Sequence, residues 1–222
     1  MIDSNQITFS KLFLFSICFI LLLTLGVWQL NKNYYTKIKR IEFSDMLKEK
    51  ATILKIKQNI VKTPAFIEIT GSLLEQNSIF LEPRTYKGQL GYHKITPIQF
   101  QNKVFILNRG FIKNKIIENV DNKNIITQGI IINMPKKSFF SLENDLKKNR
   151  WYTYDVEDFK KFFSFEVEPY IIYEKSNKPI DRYLQVTPNI VSDVNHLHYA
   201  ITWFLVAFSI CVIFLISTRE SK

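Results

Sequence analysis

Three histidines, His93, His196 and His198, occur in this 222-residue chain, and two of them stand just before the apolar run 199–217. On a helix, residues two apart point about 200° from each other, so His196 and His198 do not chelate one metal together. His196 shares its face with Tyr199, Ala200 and Trp203, and His198 shares one with Ile201 and Thr202. An imidazole beside flat aromatic and apolar walls at a membrane boundary suits a haem iron, because the porphyrin is apolar while its propionates prefer the wetter headgroup level. Trp28, at the corresponding end of the apolar run 12–30, belongs to the same level. The plainer alternative stays open: Trp28, Tyr199 and Trp203 also fit an interfacial aromatic belt, and a histidine there can simply cap or hydrate a helix end. No GxSxG, HExxH, CxxC, GxxxxGK[ST] or CxxCH motif is present. That argues against the commoner hydrolases, zinc enzymes, nucleotide-binding proteins and covalent haem carriers. The carboxylate pairs Asp155 with Glu157 and Glu166 with Glu168 read as solvated faces.

The elements that must position these residues begin with the two apolar runs. Residues 12–30 and 199–217 carry no charge and are rich in Leu, Ile, Phe and Val. Each approaches the roughly 20 residues that cross a hydrocarbon core. The first is longer than a usual signal-peptide core and lacks a small-x-small cleavage pattern, so it reads as a retained anchor. No Arg-rich amphipathic segment precedes it, which makes a bacterial inner membrane the simplest address. Orientation is not settled by charge. Lys32, Lys37, Lys39 and Arg40 follow the first run, whereas Arg219 and Lys222 close the tail and Lys178 and Arg182 lie well upstream of the second run. The layout expected is a tail at 1–11, a span at 12–30, a domain at 31–198, a span at 199–217 and a tail at 218–222. Cys18 and Cys211 fall inside the apolar runs as small hydrophobic residues, with no disulfide framework. The net charge of +10 is scattered as Lys among Ile and Asn, a compositional bias and not a nucleic-acid patch.

Between the runs, Tyr34, Ile38 and Ile41 at helical spacing predict that the first helix emerges into water, with Ser44 capping a second short one. From Ala65 onward, FIEIT, SIFLE, HKITPIQF, KVFILNRGFI and IITQGIIIN alternate or run apolar between Gly and Pro. They predict a mainly antiparallel sheet, open to barrel-like closure, with a tight turn at Gln101–Asn102 and an edge or bulge at Pro97. Thr153 or Asp155 caps a short amphipathic helix carrying Val156, Phe159, Lys160 and Phe163, and EPYIIYEK supplies a further strand. The fold class is therefore two transmembrane helices flanking one α+β domain.

The segment NHLHYAITWF, residues 195–204, resembles the signature before the second span of the Surfeit-locus cytochrome oxidase assembly family, usually close to NNHLxYAxTWF. GVWQLNK, PRTYKGQLGYHKITPIQF with ILNRGF after it, and FFSLENDLKKNRWYTYD resemble the same family in the same order, so the similarity spans almost the whole chain. Val194 replaces the first Asn, Lys32 stands where many members have Arg, and Phe111 where Trp usually follows Arg-Gly. The resemblance implies a non-enzymatic assembly factor for haem-copper oxidases that holds haem a and presents it to the catalytic subunit. It makes His196 the candidate ligand and His198 the backup, with Trp28, Tyr199 and Trp203 as supports. It also implies a multi-pass protein with its large loop in the periplasm, working with the bilayer, the oxidase catalytic subunit and other assembly factors, and compatible with a homo-oligomer. Arg84 and Arg109 could clamp haem propionates bidentately, or pair with local acids as strand-end arginines commonly do. The alternative function is a scaffold that binds oxidase subunits and never holds cofactor. Asn144, Asp145 and Trp151 read as turn and packing residues.

Overall fold

The computed structural model describes residues 4–49, 52–53, 63–117, 124–175, 183–191 and 193–220. Lys178, Arg182 and Lys222, which entered the charge balance, lie outside the described residues. The chain divides into two compact units, Met1–Asp45 with Ile190–Lys222, and Met46–Asn189.

The first unit is a pair of helices, α1 (Ser4–Lys48) and α3 (His196–Glu220). Phe9–Lys48 and His196–Arg219 are long and apolar enough to cross a membrane. Their large apolar side chains, among them Phe13, Leu21, Leu205 and Phe208, stay exposed, as lipid-facing residues would. What they bury against each other is small. Ala200 and Ala207 are fully buried, and a Cβ on Gly26 would sit 2.6 Å from the Phe204 ring, so this glycine lets the two helices approach closely. Further along, Phe15 stacks on Phe214 with centroids 4.3 Å apart, which makes the pair antiparallel. The expected break at Ser44 does not occur. With no Gly or Pro between Trp28 and Lys48, nothing interrupts the hydrogen-bond ladder, and α1 continues through Ser44 as one helix of 45 residues. At 1.5 Å per residue it is about twice as long as a hydrocarbon core is thick.

The second unit is a seven-stranded sheet in the order β1-β2-β6-β7-β5-β4-β3. Its strands are β1 (Thr52–Ile53), β2 (Ala65–Leu73), β3 (Ile79–Tyr86), β4 (Gln89–Phe100), β5 (Lys103–Ile112), β6 (Asn124–Asn133) and β7 (Tyr170–Glu174). The end of β4 pairs back onto β2, Ser72 with Gln99 and Leu73 with Ile98, so the ladder β2-β6-β7-β5-β4 closes on itself. Ile67, Ile69, Ile98, Phe105, Leu107, Ile131 and Ile172 fill one core cluster. Ile79, Leu81, Ile95 and Ile106 face the other way, onto Trp151, Phe159 and Phe163. Alternate residues of β5 thus enter different cores, which explains why KVFILNRGFI is apolar almost without interruption.

The sheet is mainly antiparallel, as expected, with two parallel pairs: β1–β2, and β5–β7, where β7 returns after a long connection and slots between β5 and β6. One expectation needs correction. Pro97 is not on an edge. It pairs with Ile106 inside the sheet, at the point where the other neighbour of β4 changes from β3 to β2, and its carbonyl accepts from Leu74 N at 2.9 Å. The Gln101–Asn102 turn forms without glycine because Gln101 adopts φ 53°. Helix α2 (Val156–Phe163) starts at Asp155, whose carboxylate accepts from Glu157 N and Asp158 N. It buries Phe159 and Phe163 against Trp151.

Candidate functional site at the start of the second apolar helix

Asn195 precedes α3 and its Oδ1 accepts from His198 N at 3.3 Å, an N-cap that makes His196 the first residue of the helix. The helical angle then sets directions. His196, Ala200 and Ala207 lie within about 40° of one another and are all buried. His198, about 200° away, is exposed.

His196 Nδ1 lies 2.9 Å from Oε1 of Gln29 on α1. With that oxygen accepting, the imidazole proton sits on Nδ1 and Nε2 keeps a free lone pair. Nε2 is itself buried and has no hydrogen-bond partner, one of two such side-chain atoms among the described residues, with Thr153 Oγ1. Leaving a buried polar atom unsatisfied costs about 1–3 kcal/mol, so it calls for an explanation, and a ligand is one. Of the aromatic residues named with it, Trp203 is half-buried, while Trp28 and Tyr199 are 53% and 54% exposed. Gln29 is the residue that sequence reasoning passed over. The signal was present in GVWQLNK: an amide at the end of an apolar run is expensive unless something engages it.

The SURF1 family description matches residues 16–208, which include both Gln29 and His196. The SURF1-like protein of Rickettsia bellii (strain RML369-C) is 31% identical over 222 residues, covering 92% of this chain and 89% of that protein. Those of Rickettsia conorii (strain ATCC VR-613 / Malish 7) and Rickettsia felis (strain ATCC VR-1525 / URRWXCal2) are each 30% identical, covering 94% and 92% of this chain and 91% and 95% of theirs. The chain belongs to the SURF1 family. That is a family of oxidase assembly factors, not a catalytic one.

Arg84 and Arg109 belong to the sheet unit of this SURF1 chain, and both have partners there. Arg84 donates to the carbonyls of Pro83 at 2.8 Å and Tyr152 at 2.9 Å. Arg109 is the extra residue of a bulge between β4 and β5, where Lys94 pairs with Gly110 and Ile95 with Asn108. Gly110 takes φ 122° there, and a Cβ on it would strike the Leu184 carbonyl oxygen at 2.5 Å. The bulge carries Arg109 into the interior, where Nε donates to Glu174 Oε2 at 2.6 Å and Nη1 lies 3.6 Å from Glu75 Oε2. Burial opposes the charge, but Glu174, then Tyr183 and Glu75, outweigh it and hold the guanidinium more firmly protonated than usual. Lys94, fully buried, binds Glu75 and donates to the Tyr183 hydroxyl at 2.9 Å. The local-acid reading of Arg109 thus describes what the side chain does in this fold. Asn144 likewise serves the fold: Oδ1 accepts from Tyr152 N and Thr153 N, and Nδ2 donates to Thr153 O and Asp158 Oδ2.

His93 lies 3.4 Å from Asn108 Nδ2, and desolvation, then the Arg84 charge, lowers its pKa from 6.5 to about 4. The unfolded chain therefore takes up the proton first. Stability should be full above pH 6.5, fall as the pH drops towards 4 and then level off, losing up to about 3 kcal/mol in that window. Thermal unfolding at pH 7 and pH 4.5 checks this, and His93→Gln should remove this contribution to the pH dependence.

Proposed function

We propose that this SURF1 chain captures haem a through His196 Nε2 and presents it to the catalytic subunit of a haem-copper oxidase, together with other assembly factors. The observation that carries the reading is the buried, unpartnered Nε2 whose lone pair is set by the Gln29 contact. Gln29 acts as a positioning residue: by accepting from Nδ1–H it fixes tautomer and ring orientation, as partners of ligating histidines commonly do. Trp28, Tyr199 and Trp203 offer flat apolar surface at the same helix ends. One strong protein ligand leaves the iron exchangeable, which delivery requires. His198, exposed and on the far side of the helix, serves only as a reserve ligand. Arg84 and Arg109 are left out of this reading, because each is already engaged within the sheet unit. The proposed setting is a bacterial inner membrane, with α1 and α3 spanning and the sheet unit in the periplasm.

The test is the optical spectrum and haem mass analysis of detergent-purified protein made in cells that synthesise haem a. Copurified haem a supports the carrier reading. Protein that stays empty beside abundant haem a overturns it and leaves the scaffold reading. Gln29→Leu should weaken haem retention by about 10- to 100-fold and shift the absorption bands, while Gln29→Glu, still an acceptor, should restore retention. Unchanged bands in both variants would remove Gln29 from the site.

A further inference from the structure

Between β6 and α2 the chain carries no helix or long strand, and one turn of this connection is built against the usual rule for apolar residues. Ser141 N donates to Ser138 O at 3.0 Å, and Ser138 N donates to Ser141 Oγ at 3.0 Å. This doubly closed β-turn holds Phe139 and Phe140 at its two central positions, 94% and 90% exposed. The two rings meet edge to face, with centroids 5.3 Å apart, and Leu142 beside them is 63% exposed. The base of the turn is fixed by the four hydrogen bonds of Asn144 and by the paired backbones of Asp145 and Arg150. Apolar tips on a fixed base are displayed, not collapsed.

What they are displayed to follows from charge and tethering. Lys136 and Lys137, both exposed, lead into the turn, and Glu143 is the one acid directly after it. Aromatic rings beside lysines match the layering of an anionic bilayer surface, rings at the acyl boundary and ammonium groups among the phosphates. The sheet unit is also joined at both ends to helices long and apolar enough to span, which keeps a bilayer within reach at high effective concentration. We propose that the Ser138–Ser141 turn is a lipid-docking element that inserts Phe139 and Phe140 at the headgroup boundary of an anionic membrane, with Lys136 and Lys137 on lipid phosphates.

The experiment places full-length Phe139→Trp protein in nanodiscs of phosphatidylcholine, with and without phosphatidylglycerol, beside the parent chain, whose three tryptophans set the background. In anionic discs the added indole is expected to be quenched by brominated lipid and shielded from acrylamide at least threefold. Adding Lys136→Glu and Lys137→Glu should restore acrylamide access, each lysine near such a surface being worth about fivefold in binding. An added indole that is open to acrylamide and untouched by brominated lipid in both discs overturns the proposal. So does shielding that appears only when purified oxidase is added, which would make the turn a protein-docking face.

Discussion

His196→Ala protein, purified from membranes that make haem a, is expected to lose essentially all of its bound haem, whereas His198→Ala retains it to within about twofold. The two imidazoles are two residues apart, yet the helix sends one towards α1 and the other outward. Haem analysis of the two variants side by side checks this, and equal loss in both would remove His196 from its special position. A second readout separates ligation from packing. His196→Leu combined with Gln29→Leu removes the unsatisfied Nε2 along with both members of the Nδ1–Gln29 contact, so the empty helix pair should melt no lower than the parent, or somewhat higher. Loss of haem with stability retained is the mark of a residue kept for binding. Loss of both would mean that the histidine only packs the helices.

The second large effect belongs to the sheet unit. Lys94→Met should destabilise it by about 3–5 kcal/mol, a large share of the stability of an ordinary domain. Lys94 and Arg109 are matched by Glu75 and Glu174 in a neutral group of four, closed over by the Tyr183 ring. Removing one cation leaves the group with an uncompensated negative charge out of reach of water. Replacing Glu75 by Gln at the same time restores the balance, so the double variant should recover much of the loss. Thermal unfolding of the purified protein would show the single change as a fall of about 10 °C or more. A single variant that melts with the parent would mean that water already reaches the group.

Part of this was legible in the sequence because it is a matter of local chemistry. The apolar runs have the length and purity of membrane spans, Asp155 followed by an amphipathic pattern predicted α2 and its cap, and the strand segments showed in their alternation. Other features depend on partners far along the chain. Pro97 looked like an edge residue because its missing N–H is visible in sequence, but the gap between β3 and β2 that tolerates it is not. Ser44 looked like a new cap because capping residues are recognised singly, while continuation of α1 depends on the whole stretch. Arg109 could be seen as a strand-end guanidinium. Its acids, Glu75 and Glu174, lie 34 residues before and 65 residues after it, and no spacing rule joins them.

The sequence alone determined that His196 and His198 face apart, since helical geometry fixes directions within one helix, and that the flanking runs are apolar enough to span. Only the tertiary structure decided that Gln29 meets His196 across 167 residues and that Nε2 is the nitrogen left free. The reason is physical: a side chain's direction is set by its own helix, but its hydrogen-bond partner and its burial are set by whatever the fold brings against that face.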